Sequence, residues 1–320
     1  MLRYNRNMEK DKIKYYFGID VGGTTTKMGI FRMNGDLVDK WEIETRTENG
    51  GEAILPDISE SICNKQREHG ITREEILAVG IGVPAAVHSD GIVENTSNLG
   101  WGYKEVKREL GELTNFPIYV ENDANLAALG EMWKGAGRGH RNLVMVTLGT
   151  GVGGGIIADG HIITGVKGGA GEIGEICVDQ ETDGDDVVWR NLEYYASATG
   201  IVRLARRKLE ETTEKTVLHM EKLTAKDVFD AVKVKDRVAV DVAETFGCYL
   251  GKVLSDLAVI LAPEVFVIGG GVSKAGDVLL EYIQRGCTTE KIRLVLAELG
   301  NDAGIYGAAQ LALRETATDD

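Results

Sequence analysis

No two cysteines of this chain lie close enough in sequence to pair through a shared metal. Cys63, Cys177, Cys248 and Cys287 stand far apart, with no CxxC among them. That spacing argues against a disulfide framework or a zinc knuckle and favours reduced thiols behaving as small buried hydrophobes. Basic charge is short too: 36 Lys and Arg against 50 Asp and Glu leave a net charge of −14. Nonspecific binding to phosphate backbones or anionic membranes needs the opposite sign, so neither nucleic acid nor a membrane is an expected partner. Long apolar runs are missing, none approaching the roughly 18 to 20 residues that span a bilayer. The opening stretch MLRYNRNMEKDKIK carries charge without an apolar segment, and the expected location is the cytoplasm. Proline is scarce at four residues, whereas glycine reaches 41. Such an excess marks tight turns and close backbone approach rather than disordered linker.

At 320 residues, 43% of them apolar, the chain exceeds one ordinary domain, so two α/β lobes with separate cores are expected. The smaller is expected over 14–121 together with the C-terminal 303–320, the larger over 122–302. Strands are predicted at Tyr15–Asp20, Lys27–Met33, Leu37–Thr45, Leu77–Val83, Pro117–Val120, Val144–Thr147 and Val265–Ile268. Helices are predicted over Glu52–His69, closed by Gly70, and over Ala124–Trp133. Val238, Val242, Phe246, Leu250, Val253, Leu257 and Leu261 recur at helical spacing and predict a long core-facing helix. Another helix is expected from Ser273, and Gly304 and Gly307 among alanines predict a closely packed closing helix.

Glycine concentrates where a strand turns back on itself. GIDVGGTTTKMG, Gly18–Gly29, reads as a strand ending in Asp20, a Gly/Thr turn and a returning strand, and VMVTLGTGVGGGIIA, Val144–Ala158, repeats that shape. Aligning Asp20 with Thr147 sets Gly22 over Gly149. Phosphate oxygens need several donors at once, and backbone amides of such turns supply them without steric obstruction. Gly22, Gly23, Thr24 and Thr25 fit that need, as do Gly149, Thr150 and Gly151. Either turn alone could be an ordinary bulged hairpin; the repeat implies one nucleotide gripped between two lobes. No Walker-type phosphate loop is present, and the glycine pattern lacks the ribose-binding acid of a dinucleotide site. Asp20 would instead orient magnesium through water, a single carboxylate sufficing for a metal that keeps most of its waters; the alternative is a turn-capping aspartate. A carboxylate at the strand-to-helix turn, Asp123, is a candidate general base for an attacking hydroxyl, with Asn122 holding a hydroxyl. Both could equally be N-caps of the helix that follows. Glu172, Glu175 and Glu193 are suited to accept hydroxyls of a polyol, or are solvated surface charges.

GIDVGGTTTKMG, VENDANLAALGE, TLGTGVGGGII, GAGEIGE, YASATG and VIGGGVS follow one another over nearly the whole chain. In that order they resemble the ROK family of sugar kinases, above all its Gram-positive glucokinases. The resemblance implies a duplicated actin-like ATPase fold and transfer of the γ-phosphoryl of ATP to a hexose, with glucose the leading acceptor. Fructose, allose, mannose or N-acetylmannosamine are the alternatives. It implies Asp123 as base and Asn98, Asn122, Glu172, Glu175 and Glu193 on the sugar. It also implies Asp20, Gly22, Gly23, Thr24, Thr25, Lys27, Thr147, Gly149, Thr150 and Gly151 on the nucleotide, Gly269, Gly270 and Gly271 lining the adenosine pocket, and a homodimer or homotetramer. The sugar-sensing repressors of the family carry an N-terminal DNA-binding helix-turn-helix, for which about fourteen residues before the first strand are too few. An actin-fold ATPase driving a partner is the remaining rival.

One stretch departs from the family. Where ExGH and a CxCGxxGCxE zinc loop are usual, this chain has Glu172-Ile-Gly-Glu175-Ile and then CVDQETDGDDVVWRNLE. The zinc ligands are missing and no zinc is expected. Glu175 stands where the family has a sugar-contacting histidine, and it either substitutes as an acceptor or leaves water in that place. Asp179, Glu181, Asp183, Asp185 and Asp186 are expected to form a solvated acidic loop, with binding of a cation the alternative.

Overall fold

The computed structural model describes residues 13–96, 98–183, 186–289 and 292–318. Two compact units result, one from residues up to Trp133 with Gly165–Gly169 and the segment from Asp302, the other from Lys134–Thr164 and Ala170–Asn301.

In the first unit, β1 (Tyr15–Val21), β2 (Thr25–Arg32), β3 (Leu37–Glu44), β4 (Ile76–Val83) and β7 (Ile118–Asn122) form one sheet in the order β3-β2-β1-β4-β7. β1, β2 and β3 run antiparallel to one another, while β4 and β7 lie parallel to β1. A separate antiparallel pair, β5 (Ile92–Glu94) and β6 (Tyr103–Glu105), precedes the last strand. Nearly every residue of β4 is buried, as a central strand covered on both faces requires. One face packs Phe17, Ile19, Val79 and Ile81 against Ile54, Ile58 and Ile62 of α2 (Ile54–His69) and Val106 and Leu110 of α3 (Val106–Thr114). A short turn of helix, α1 (Glu48–Gly51), leads into α2, and Gly70 ends α2 in the left-handed conformation.

The other face carries α10 (Ala303–Thr318), whose Ile305, Ala309 and Ala312 meet Tyr16, Phe31 and Ala78. The helix rides on bare backbone there. A methyl added at Gly18 would fall 2.0 Å from the Ile305 carbonyl oxygen, and one at Gly80 1.8 Å from that of Ala308. α4 (Asp123–Lys134) shares this packing: a methyl at Gly307 would lie 1.8 Å from the Leu126 carbonyl oxygen, and Trp133 meets Phe31 at a 45° tilt and Tyr306 edge on. That is why α4 goes with the first unit, where a boundary after residue 121 had placed it in the second.

The second unit repeats the plan. β8 (Leu143–Leu148), β9 (Val152–Ala158), β10 (His161–Ile162), β13 (Val265–Gly269) and β14 (Leu294–Leu296) form a sheet in the order β10-β9-β8-β13-β14, with the same pattern of antiparallel and parallel pairs. The register matches residue by residue: Asp20 faces Gly82 across the first parallel pair, and Thr147 faces Gly269 across the second. α5 (Leu192–Ala196), α6 (Ala198–Glu211), α7 (Ala225–Lys233), α8 (Arg237–Leu261) and α9 (Asp277–Gly286) share one core with Val144, Val146, Leu148, Phe266 and Ile268 of this sheet. Val238, Val242, Phe246, Leu250, Val253 and Leu257 of α8 are buried in its core as their spacing predicts, and Leu261 is half-buried.

Three expectations are corrected. Ser273 lies within a 3-10 turn, Gly271–Ala275, and α9 starts at Asp277 because Gly276 at φ +79° breaks the chain direction between them. Cys177 and Cys248 are exposed, and Cys63 and Cys287 half-buried, so none is a fully buried hydrophobe. The acidic stretch is a β-hairpin of β11 (Cys177–Asp183) and β12 (Asp186–Asn191). Asp179 and Glu181 are half-buried and bonded, while Asp186 is exposed. Asp185 lies outside the described residues, as does the Asp183 side chain. Among the described residues no helix is long and apolar enough to cross a membrane.

Candidate active site

An open sheet offers ligand-binding loops at the carboxyl ends of its parallel strands, and in the first unit the predicted residues collect there. β1 ends at Val21, one residue past Asp20, and Gly22 donates its amide to the Thr25 carbonyl at 3.1 Å, closing a narrow turn. Thr24 is exposed at its tip, and its carbonyl accepts from Thr45 at 3.0 Å. Asn98 lies beside the turn: a methyl added at Gly23 would come 3.2 Å from its Cβ. Asp20 is packed against the first turn of α10, where a methyl on Gly304 would fall 2.6 Å from Oδ2. A helix N-terminus favours negative charge, yet burial raises the Asp20 carboxyl above its ordinary value, opposed by the charge of Lys27.

Asn122 closes β7 and Asp123 opens α4. The Asn122 Oδ1 accepts the amides of Ala124 at 2.9 Å and Asn125 at 3.1 Å, and its Nδ2 donates to the Ala85 carbonyl at 3.3 Å. Asn122 is therefore the helix cap, the alternative its sequence position left open. Asp123 Oδ1 takes the Ala124 amide at 2.8 Å. Asp123 also lies over the end of the neighbouring strand, its Cα 3.7 Å from a methyl built on Gly82. Beneath the turn, the buried Glu121 accepts from the Asn122 amide at 2.8 Å and from Asn125 Nδ2 at 3.0 Å. Burial raises its carboxyl above the ordinary range, against those two hydrogen bonds.

In the second unit the turn after β8 is tighter, with the Gly149 amide donating to Gly151 at 2.9 Å, and it is clamped from α5 and α6. Glu193 Oε2 accepts the Val152 amide at 2.9 Å, Ala198 donates its amide to the Gly149 carbonyl at 2.8 Å, and Thr199 Oγ1 donates to the Thr150 carbonyl at 3.1 Å. Space is so short that a methyl on Gly151 would lie 2.3 Å from Glu193 Oε2. Beside it runs the glycine turn after β13, where Gly270, at φ +83°, sits so that a methyl would meet the Leu148 carbonyl oxygen at 2.4 Å. Glu172 and Glu175 flank a short 3-10 turn, Ile173–Glu175, whose Gly174 approaches the Val152 carbonyl. Glu175 Oε2 accepts from Asn191 Nδ2 at 3.0 Å. Partial desolvation, then the nearby charges of Glu175 and Glu193, hold the Glu172 carboxyl above its usual range.

The predicted residues thus gather into one set in each unit. Sequence reasoning missed the groups behind them: Glu121 under Asp123, Thr199 on the glycine turn, and Asn191 between Glu175 and α5. Asn191 had a visible signal, an asparagine directly before a short helical run.

The ROK family model matches residues 16–315. A glucokinase of Halalkalibacterium halodurans is 43% identical over 94% of this chain and 96% of its own length. A glucokinase of Thermotoga maritima is 35% identical over 92% of this chain and 96% of its own. Among solved structures, a ROK family glucokinase from Streptomyces griseus in complex with glucose and AMPPNP aligns with a TM-score of 0.74 at 31% identity, over 94% of this chain and 99% of that one.

Proposed function

The chain belongs to the ROK family, and on that premise we propose that it is an ATP-dependent glucokinase, forming glucose 6-phosphate. Its two sheets repeat the duplicated actin-like ATPase fold, and its glucokinase relatives match over nearly their whole length. The observation that carries the reading is the gathering of Asp20, the Gly22–Thr25 turn and Asp123 at the carboxyl ends of β1, β4 and β7.

A hydroxyl attacking phosphorus must lose its proton, and Asp123, steadied through Oδ1 by the Ala124 amide, is the group to take it. Phosphoryl transfer otherwise depends on position and charge. The amides and hydroxyls of Gly22, Gly23, Thr24 and Thr25, with Lys27, and of Thr147, Gly149, Thr150 and Gly151 hold phosphates. Gly269, Gly270 and Gly271 leave room for the adenosine. Asp20 fits the magnesium that accompanies ATP, as one partly buried carboxylate reaching it through water; when bound, the metal neutralises charge on the phosphates. Asn98, Asn122, Glu172, Glu175 and Glu193 accept and donate to the sugar hydroxyls, and carboxylates in that role reject isomers whose hydroxyls point elsewhere.

The test is a coupled assay with ATP and magnesium over glucose, mannose, fructose and N-acetylated hexosamines. Glucose is expected to give the highest kcat/KM. Absence of ATP-dependent product from every one of these sugars would overturn the reading.

A further inference from the structure

The zinc loop that the family resemblance implies does not fit this chain. A structural zinc takes four cysteine or histidine ligands, and the segment from Glu172 to Glu193 holds one thiol and no histidine. That thiol, Cys177, is exposed with Sγ 3.7 Å from the Asp179 carbonyl oxygen. A hydrogen-bonded structure occupies the segment instead. At the base of the β11–β12 hairpin, the Asp179 carboxylate accepts the hydroxyl of Tyr195 at 2.8 Å and that of Tyr249. The two rings stack with centroids 3.8 Å apart and planes 11° from parallel. Tyr195 belongs to α5 and Tyr249 to the long core helix α8, so Asp179 moors the hairpin to both. These hydroxyls hold the Asp179 carboxyl below its usual range, and desolvation followed by the bond to Asp179 pushes Tyr249 up to about 12.

The same open end of the hairpin reaches the acceptor residues. Asn191 pairs with Cys177, and Leu192 donates its amide to the Ile176 carbonyl at 2.8 Å. The Asn191 side chain then works in two directions. Oδ1 caps α5 through the Tyr194 amide at 3.1 Å, and Nδ2 holds Glu175 Oε2 at 3.0 Å. Glu193 lies in the first turn of the helix so capped.

We propose that this hairpin is a metal-free brace for the acceptor-binding carboxylates and that Asn191 is its positioning residue, setting Glu175 directly and Glu193 through the α5 cap. The inference rests on the acceptor role proposed for those two glutamates.

Asn191→Asp keeps the cap oxygen and turns the donor into a second carboxylate oxygen against Glu175. Steady-state kinetics should show the glucose KM raised roughly tenfold, the fold-change of a lost charge-assisted contact, with the ATP KM unchanged. In a Glu175→Gln background, which restores a donor–acceptor pair across the same gap, Asn191→Asp should add little to the glucose KM of the Glu175→Gln single variant, a rescue that a merely structural role would not produce. Tyr249→Phe should raise the glucose KM roughly threefold by loosening the mooring. Exhaustive dialysis against a zinc chelator, followed by added magnesium, should leave activity intact. An unchanged glucose KM in Asn191→Asp, a parallel rise in both KM values, failed rescue, or activity lost to the chelator and regained with zinc would each overturn the brace. Failure of the wild-type protein to phosphorylate any hexose would overturn the kinase reading instead, so the two failures are distinguishable.

Discussion

The turn after β1 and the turn after β8 hold the same place in two equivalent sheets, and their surroundings differ. In the first unit the strand delivers Asp20, a carboxylate partly buried against a helix N-terminus; a methyl on Gly23 would find Asn98 at 3.2 Å, and one on Gly22 would meet the turn's own Thr25 carbonyl oxygen at 2.8 Å. In the second, the equivalent residue is Thr147, and the turn is pinned by Glu193, Ala198 and Thr199. The backbone plan was duplicated while the chemistry was divided. On the proposed reading, the acid–base and metal-directed groups belong to the first unit, and the second contributes a rack of donors joined to the carboxylates proposed to bind the acceptor.

The sharpest way to break this division is at its acidic side. Asp123→Ala should lower kcat by roughly 10³-fold, about 4 kcal/mol of barrier, as expected for loss of a general base. Calorimetric binding of ATP and glucose should persist, and retained turnover would remove Asp123 from the chemistry. Next in size is a contrast between the turns. Gly151→Ala drives a methyl to 2.3 Å from Glu193 Oε2, whereas Gly23→Ala meets Asn98 at 3.2 Å. The first should cost on the order of 10²-fold in kcat/KM for both substrates, since displacement of about 1 Å has that effect. The second should cost only a few-fold, roughly 1 kcal/mol. Equal losses would show that the clamp confers no special rigidity.

A pH profile tests the acceptor side. Because Glu172 binds its proton above the ordinary carboxylate value, held there by desolvation and the charges of Glu175 and Glu193, it becomes neutral as pH falls through that raised value. Glucose affinity should weaken over that window. Glu175→Gln removes one repelling charge, so the acid limb of kcat/KM for glucose should move to lower pH; an unmoved limb would show that Glu172 does not govern it. The smallest effect is expected from Thr199→Val, which deletes one hydrogen bond to the Thr150 carbonyl. About 1 kcal/mol, a few-fold rise in the ATP KM, is the scale of such a loss.

Much of this was legible in the residue order, because turns announce themselves through glycine. The paired glycines after Asp20 and after Leu148, the α8 stripe and the strand into Gly269 all stand where pattern placed them. What stayed hidden depends on partners distant in sequence. The end of the first unit follows from Gly307 of α10 and Gly130 of α4, each lying against the other helix's backbone. The hairpin was invisible because its charges mask the strand alternation, and Asp179 is drawn inward by Tyr249, seventy residues later. That Asn122 caps α4 cannot be told from composition; the observed bonds to Ala124 and Asn125 show the capping role, which stands beside the sugar contact proposed for it.

The seating of α10 on Gly18 and Gly80 has a consequence for biosynthesis. The sheet that begins at residue 15 is covered on one face by a helix that begins at residue 303, so a nascent chain emerging from the ribosome carries that face bare until the helix from residue 303 has been made. Residues 134–164 and 170–301 of the second unit emerge before that helix does. A message truncated before codon 303 therefore yields one unit with its core-forming elements complete and another with Tyr16, Phe31 and Ala78 left to water, an exposed apolar surface of the kind that promotes aggregation.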